Sequence, residues 1–132
     1  MRICAYLRGR VWPWAGTVVD ELDLSLRAEL EELTTSICRA LNDPKRLMIL
    51  YALSDRALSV GELCNALGAS QSNVSQHLAV LRDRGLVDTS RAANRVMYSL
   101  RHPRVIDAID LLRSVMGDEL VRRQALHRQA SA

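Results

Sequence analysis

The stretch Ser70–Val87, SQSNVSQHLAVLRDRGLV, decides how the chain is read. From Ser70 to His77 every residue except Val74 is Ser, Gln, Asn or His, and none carries a formal charge. Serine and asparagine are poor inside a helix because their side chains compete for backbone hydrogen bonds. Yet Val74, Leu78 and Leu81 recur at i, i+4 and i+7, the spacing of one helical face. Turning 100° per residue from Val74, the opposite face holds Ser72, Gln76, Ala79 and Asp83, flanked by Asn73 and Ser75. A face that merely meets water favours Glu and Lys, and this one has neither. Gln and Asn pair bidentately with adenine, Ser bonds to any base edge, and a small Ala meets a thymine methyl. The pattern predicts a helix capped by Ser70 and ending near Arg84. Its first turns (Ser70, Gln71, Ser72, Asn73, Ser75 and Gln76) point at base edges, as the start of a recognition helix does. His77 lies about 60° from the core centre, where packing and DNA contact are both open to it.

The flanking sequence supplies the rest of a small helical domain. Leu26, Leu30, Leu33, Ile37 and Leu41 step by four and three, which predicts an amphipathic helix over 25–41 with Glu29, Glu31 and Glu32 turned away. Asp43 then caps a second helix with Pro44 at its first position, running to about Ser54. Ser59 and Glu62 form a capping box and Leu58 with Leu63 a hydrophobic staple, so a third helix starts there. Gly68 stops it after Leu67, and two short helices separated by Gly-Ala-Ser make a helix-turn-helix.

After Gly85, LVDTS (86–90) and RVMYSL (95–100) read as two short strands joined by a tip in which Asn94 takes a left-handed conformation. A helix-turn-helix followed by a basic hairpin is a winged helix. Arg91 and Arg95 on the wing, and Arg82 and Arg84 at the far end of the recognition helix, are placed to meet phosphates, which position a protein without specifying sequence. Pro103 opens a last helix with Val105, Ile106, Ile109, Leu112, Val115 and Met116 apolar. The expected fold is therefore mainly α with a small β-hairpin wing: a winged helix-turn-helix of about five helices and two strands. The expected division is an N-terminal arm (1–22) holding Trp12 and Trp14, a DNA-binding and dimerisation domain (23–121), and a basic C-terminal tail (122–132) with Arg122, Arg123 and Arg128.

Composition agrees with one small globular domain. The chain has 132 residues, 48% apolar and 25% charged, with a net charge of +3. Of its 18 basic residues only Lys45 is lysine, and arginine is the side chain suited to bidentate phosphate and base-edge contacts. Charge is also segregated: Thr17 to Thr35 carries six acids against Arg27, and Ser70 to Arg104 six arginines against Asp83 and Asp88. The second half calls for an anionic partner. Arg8, Arg10 and Pro13 interrupt any signal-like apolar start, and no apolar run approaches the ~18 residues of a membrane helix, so the expected compartment is the cytoplasm and no membrane partner is expected. There is no glycine-rich phosphate loop, no H-E-x-x-H and no anchored Ser-His-Asp set, which argues against an enzyme. Nothing calls for a cofactor. A winged helix that binds another protein is the rival, and the basic, base-compatible recognition half argues against it.

ALNDPKRLMILYAL (40–53), LSVGELCNALGASQSNVSQHLAVLRDRGLV (58–87) and NRVMYSL (94–100) together resemble the ArsR/SmtB family of bacterial winged-helix repressors. The most specific part is S-x-S-x-V-S-Q-H-L followed by L-R-x-x-G-L-V, and the likeness covers about Leu33 to Val115. The resemblance implies a homodimer built from the first and last helices, binding double-stranded DNA at an imperfect inverted repeat in its own operator and released by an inducer. It also exposes departures. Where metal-sensing members carry E-L-C-V-x-D, this chain has Ala57-Leu58-Ser59-Val60-Gly61-Glu62. Where others carry D-x-H and H-x-x-E on the last helix, it has His102, Arg104, Val115 and Asp118. Arg and Val cannot replace imidazole, so no metal site is expected. Cys4, Cys38 and Cys64 are too few and too widely spaced for a disulfide framework. They are candidates for a thiol sensor, with Cys64 expected to pack beside Leu63 and Leu67 as a buried thiol.

Overall fold

The structure, a computed structural model, describes residues 24–131. The arm with Cys4, Trp12 and Trp14 lies outside the described residues. A helical run begins with α1 (Leu24–Leu33), passes through a π-helical turn (Thr34–Cys38) and ends in α2 (Arg39–Leu41). The predicted first helix is thus continuous in path but not in hydrogen bonding. Thr34 and Thr35 both donate their hydroxyls to the Glu31 carbonyl, at 2.9 and 2.8 Å. Such back-bonding competes with the backbone amide for that carbonyl and widens the turn.

Asp43 caps α3 (Pro44–Ala52), accepting from the Lys45 and Arg46 amides. Burial raises the Asp43 pKa, but the two amide bonds and the charges of His77 and Arg46 together hold it below its ordinary 3.8. Arg46 folds back to donate to the carbonyls of Ala40 and Arg39, closing the end of the first helical run. Strand β1 (Leu58–Ser59) leads directly into α4 (Val60–Leu67), whose capping box is complete. Ser59 Oγ accepts from the Glu62 amide at 3.3 Å, and Glu62 accepts from the Ser59 amide at 2.8 Å. Gly68 ends α4 at φ +62 and sends the chain into α5 (Gln71–Asp83), capped by Ser70.

The wing is β2 (Val87–Ala92) paired with β3 (Arg95–Leu100), from Val87 opposite Leu100 to Ala92 opposite Arg95. Two strands were expected and three are present among the described residues: β1 adds to β3 by Leu58 opposite Tyr98 and Ser59 opposite Met97. The extended backbone that an N-cap requires places those two residues in position to pair. At the tip the left-handed residue is Ala93, at φ +57, and not Asn94. A two-residue connection leaves Ala93 as its first residue, and that position carries the positive φ.

The last helix, α6 (Arg104–Ala130), runs on through most of the segment expected as a basic tail, so Arg122, Arg123 and Arg128 are helical. Nothing after Gly117 breaks it, and Glu119 bridges Arg122 and Arg123 at 2.7 and 3.4 Å. The core gathers Ala40, Ile49, Leu50, Leu53, Leu58, Leu63, Val74, Leu78, Leu81, Leu86, Val87, Val105 and Ile109, and no polar side chain is buried among the described residues. From α6 only Val105 and Ile109 are buried, with Ile106 packed at the edge. No helix among the described residues is long and apolar enough to cross a membrane.

Candidate nucleic-acid interface

Helix α5 stands on the core by Val74, Leu78 and Leu81, which fixes its outer face. Ser72, Ser75, Gln76, Ala79 and Asp83 are exposed there, with Gln71 beside them. Ser70 is exposed but committed: its Oγ accepts from the Asn73 amide at 3.3 Å and lies 3.3 Å from Ser72 Oγ. The side chains of Gln71, Ser75 and Gln76 make no hydrogen bond among the described residues, so their donor and acceptor groups face outward uncommitted.

Asn73, expected to point at base edges, and His77, open to packing or DNA contact, are less exposed. Asn73 is half-buried, and its Oδ1 is shielded from solvent without a hydrogen-bond partner. His77 is half-buried too, and both line a groove between α3 and α5 with Lys45, Met48 and Leu67. The helical wheel placed Asn73 on the flank of the outer face, and the packing of α3 against that flank turns it inward.

Some arginines are paired and others are not, Arg39, Arg56, Arg104 and Arg128 outside this surface also being exposed without an ion pair among the described residues. Arg27, Arg101, Arg113, Arg122 and Arg123 are paired with carboxylates. Arg82, Arg84, Arg91 and Arg95 are exposed and make no ion pair among the described residues. Arg95 and Val96 border an open groove against Ser59, Gly61, Glu62 and Asn65 at the start of α4. The Glu62 carboxyl is held below its ordinary value chiefly by the Ser59 amide, against some burial, with help from the Ser59 hydroxyl, Arg56 and Arg95.

Sequence reasoning missed two structural clasps around this surface. Arg101 donates to Asp88 from Nε at 2.8 Å and from the guanidinium end at 2.7 Å, bracing the base of the wing. That bond is the main reason the Asp88 carboxyl titrates below its ordinary 3.8, slight burial acting against it. Strand register brings Asp88 opposite Ser99, close enough for Arg101, and a register argument could have found it. The second clasp, Tyr51 with Asp110 and Arg113, joins residues 59 and 62 positions apart and left no local signal.

Of the cysteines, Cys38 is exposed on the π turn, and Cys64 is half-buried and packs at the core edge beside Leu67. No three His, Cys, Asp or Glu side chains cluster as metal ligands among the described residues.

Comparison with known proteins fits this geometry. The model of the arsR family of bacterial regulatory proteins matches residues 43–89, from the α3 cap into the wing. The HTH-type transcriptional regulator YgaV of Escherichia coli is 42% identical over 91 residues, covering 68% of this chain and 91% of that protein. Reduced HlyU from Vibrio cholerae superposes with a TM-score of 0.60 at 40% identity, over 69% of this chain and 96% of that one. The homodimeric winged helix-turn-helix DNA-binding domain of Mb0332 from Mycobacterium bovis gives a TM-score of 0.63 at 25% identity, over 78% and 94%. The chain belongs to the arsR family of bacterial regulatory proteins and is a winged helix-turn-helix, DNA-binding transcriptional regulator.

Proposed function

We propose that the protein is a homodimeric repressor that binds an imperfect inverted repeat in its own promoter and is released by an inducer. The observation that carries the DNA-reading half is the uncommitted chemistry of α5 and the wing. Gln71, Ser75 and Gln76 offer unused amide and hydroxyl groups, and Arg82, Arg84, Arg91 and Arg95 offer unpaired charge. In this reading Ser72, Ser75 and Gln76 meet base edges, the arginines meet phosphates, and Ser70, Asn73 and His77 orient the helix start.

The dimer reading is supported by apolar rows that one protomer leaves uncovered. Leu30 and Leu33 on α1, and Leu111, Leu112, Val115 and Met116 on α6, are all exposed in the protomer. Large apolar side chains exposed in rows of this kind mark interaction surfaces. The Mb0332 domain, which is homodimeric, points the same way.

The test is binding to the gene's own upstream DNA at two salt concentrations. Operator affinity should fall within ~10⁻⁸ to 10⁻¹¹ M with half-site centres about 10 bp apart, and should drop steeply with salt as counterions are released. Gln76→Ala should cost about 1–3 kcal/mol on the operator and little on random DNA. Arg91→Ala should weaken both and flatten the salt slope. Equal loss on both DNAs from Gln76→Ala would remove Gln76 from base reading. A winged helix that binds protein instead would show no preference for its own promoter.

A further inference from the structure

The Tyr51 hydroxyl on α3 donates to the Asp110 carboxylate on α6. Arg113, one turn further along α6, donates to Tyr51 Oη at 3.4 Å and to Asp110 Oδ1 at 3.2 Å. Its guanidinium carbon lies 5.5 Å from the centre of the Tyr51 ring. The cluster sits where α6 leaves the body: Ile109 is 4% exposed and Leu111 is 68% exposed.

That position matters because the apolar anchorage of α6 is short. Val105 and Ile109 are about one helical turn apart, whereas the stretch from Asp110 to Ala130 extends about 30 Å. A 10° swing about such an anchor displaces the far end by about 5 Å, more than the ~3.4 Å rise of one base pair. Apolar contact is non-directional and resists such a swing weakly. A hydrogen bond and a stacked guanidinium are directional and resist it. Helix α3 in turn shares Ile49 and Leu50 with the core that seats α5 through Val74 and Leu78. The angle between α6 and α3 is therefore also the angle between α6 and the recognition helix.

We propose that Tyr51, Asp110 and Arg113 form a clamp that sets which spacing between two DNA half-sites the protein accepts. The inference rests on the dimeric reading above, in which α6 joins two protomers. These are positioning residues that touch no DNA. They fix the distance and phase between two α5 helices by fixing each protomer's angle to the shared α6 layer.

The experiment measures binding of wild type, Tyr51→Phe and Asp110→Asn to one operator whose central spacer is changed by −1, 0, +1 and +2 bp. The same proteins are titrated on an isolated half-site, and their dimer constants and melting temperatures are measured. Wild type should lose at least about tenfold in affinity for each base pair of displacement. Both variants should hold all four spacers within about threefold of one another, with half-site affinity and dimer constant unchanged. Tyr51→Phe keeps the ring and its packing, and Asp110→Asn keeps the shape of an exposed side chain, so either one suffices if the other folds poorly. Variants that keep the wild-type spacer preference overturn the clamp, as do variants that lose the same factor on every spacer and on the half-site. Failure of both variants to fold overturns it as well, by making the cluster a plain structural tie. A wild type that is monomeric or indifferent to spacing overturns the dimeric reading itself, a result distinct from loss of the clamp alone.

Discussion

Leu112→Ala separates the surface of the protomer from its core. A leucine moved fully from water to an apolar interior contributes about 1.5–3 kcal/mol. Leu112 keeps 65% of its surface exposed in the protomer, so covering it against a second copy is worth about 1–2 kcal/mol. Twofold symmetry repeats the contact, and alanine retains part of it, which leaves a loss of about 1.5–3 kcal/mol per dimer. The dimer dissociation constant should rise by about 10- to 150-fold, read by sedimentation equilibrium over a concentration series. Helix content by circular dichroism should be unchanged, because the side chain lies outside the buried core and alanine is the best helix former. Leu81→Ala is the contrast: Leu81 is fully buried, and its truncation should cost about 2–5 kcal/mol of folding stability. Operator affinity should follow the dimer constant in Leu112→Ala. A dimer constant within twofold of wild type would show that the α6 row does not face a second copy.

Asp88→Asn should blunt acid unfolding. Arg101 holds the Asp88 carboxyl below its ordinary 3.8 in the folded state, so the bond's contribution is complete above that value and is lost as the pH falls below it. A melting-temperature series from pH 6 to 3 should therefore fall less steeply in the variant, and an unchanged slope would remove the clasp from the acid response. Ala93→Gly should stabilise the wing by about 0.5–1 kcal/mol, the relief of a left-handed alanine less the entropy glycine brings to the unfolded chain. Thermal unfolding reads it directly, and a loss of stability would refute the strain. Cys38, exposed on the π turn, should be alkylated by iodoacetamide well before half-buried Cys64, as peptide mass mapping would show. Soft thiol-directed agents that release DNA should lose that effect in Cys4→Ser/Cys38→Ser, while stoichiometric zinc should leave the wild-type complex intact. Release of the double variant by the same agents would move the sensor off those two cysteines.

Much of this architecture is legible in local sequence because local chemistry dictates it. The capping box at Ser59 and Glu62, the Asp43-Pro44 start and the Gly68 stop each satisfy or forbid particular backbone groups, so they specify helix ends wherever they occur. The outer face of α5 is legible for the same reason: once Val74, Leu78 and Leu81 are buried, 100° steps place Gln76 and Ser75 outside. What the sequence hides is set by neighbours. Asn73 reads as outer flank until α3 covers it. Strand β1 is too short for any alternation pattern and exists because β3 offers an unpaired edge. The π turn needs two adjacent threonines to compete for one carbonyl, a matter of geometry more than periodicity. The Tyr51–Asp110–Arg113 cluster depends on the packing angle of α6, which no local rule supplies.

Charge and apolar surface together leave few ways to assemble the complex. Glu29, Glu31 and Glu32 are exposed on α1, and among the described residues only Glu31 has a paired arginine, Arg27 at 3.1 Å. Duplex DNA carries about one negative charge per 1.7 Å, and at physiological salt charges act over about 8 Å. The acidic face of α1 must therefore lie beyond that reach of the phosphates. The unpaired arginines of α5 and the wing are the charges available to meet those phosphates. The apolar row from Leu111 to Met116 suits neither water nor phosphate. In the proposed dimer these three surfaces take separate roles: acid away from DNA, arginine toward it, and the apolar α6 row between protomers. In the proposed dimer the two recognition helices, one from each protomer, point to the same side and are joined through α6, which carries the Tyr51, Asp110 and Arg113 cluster at its root.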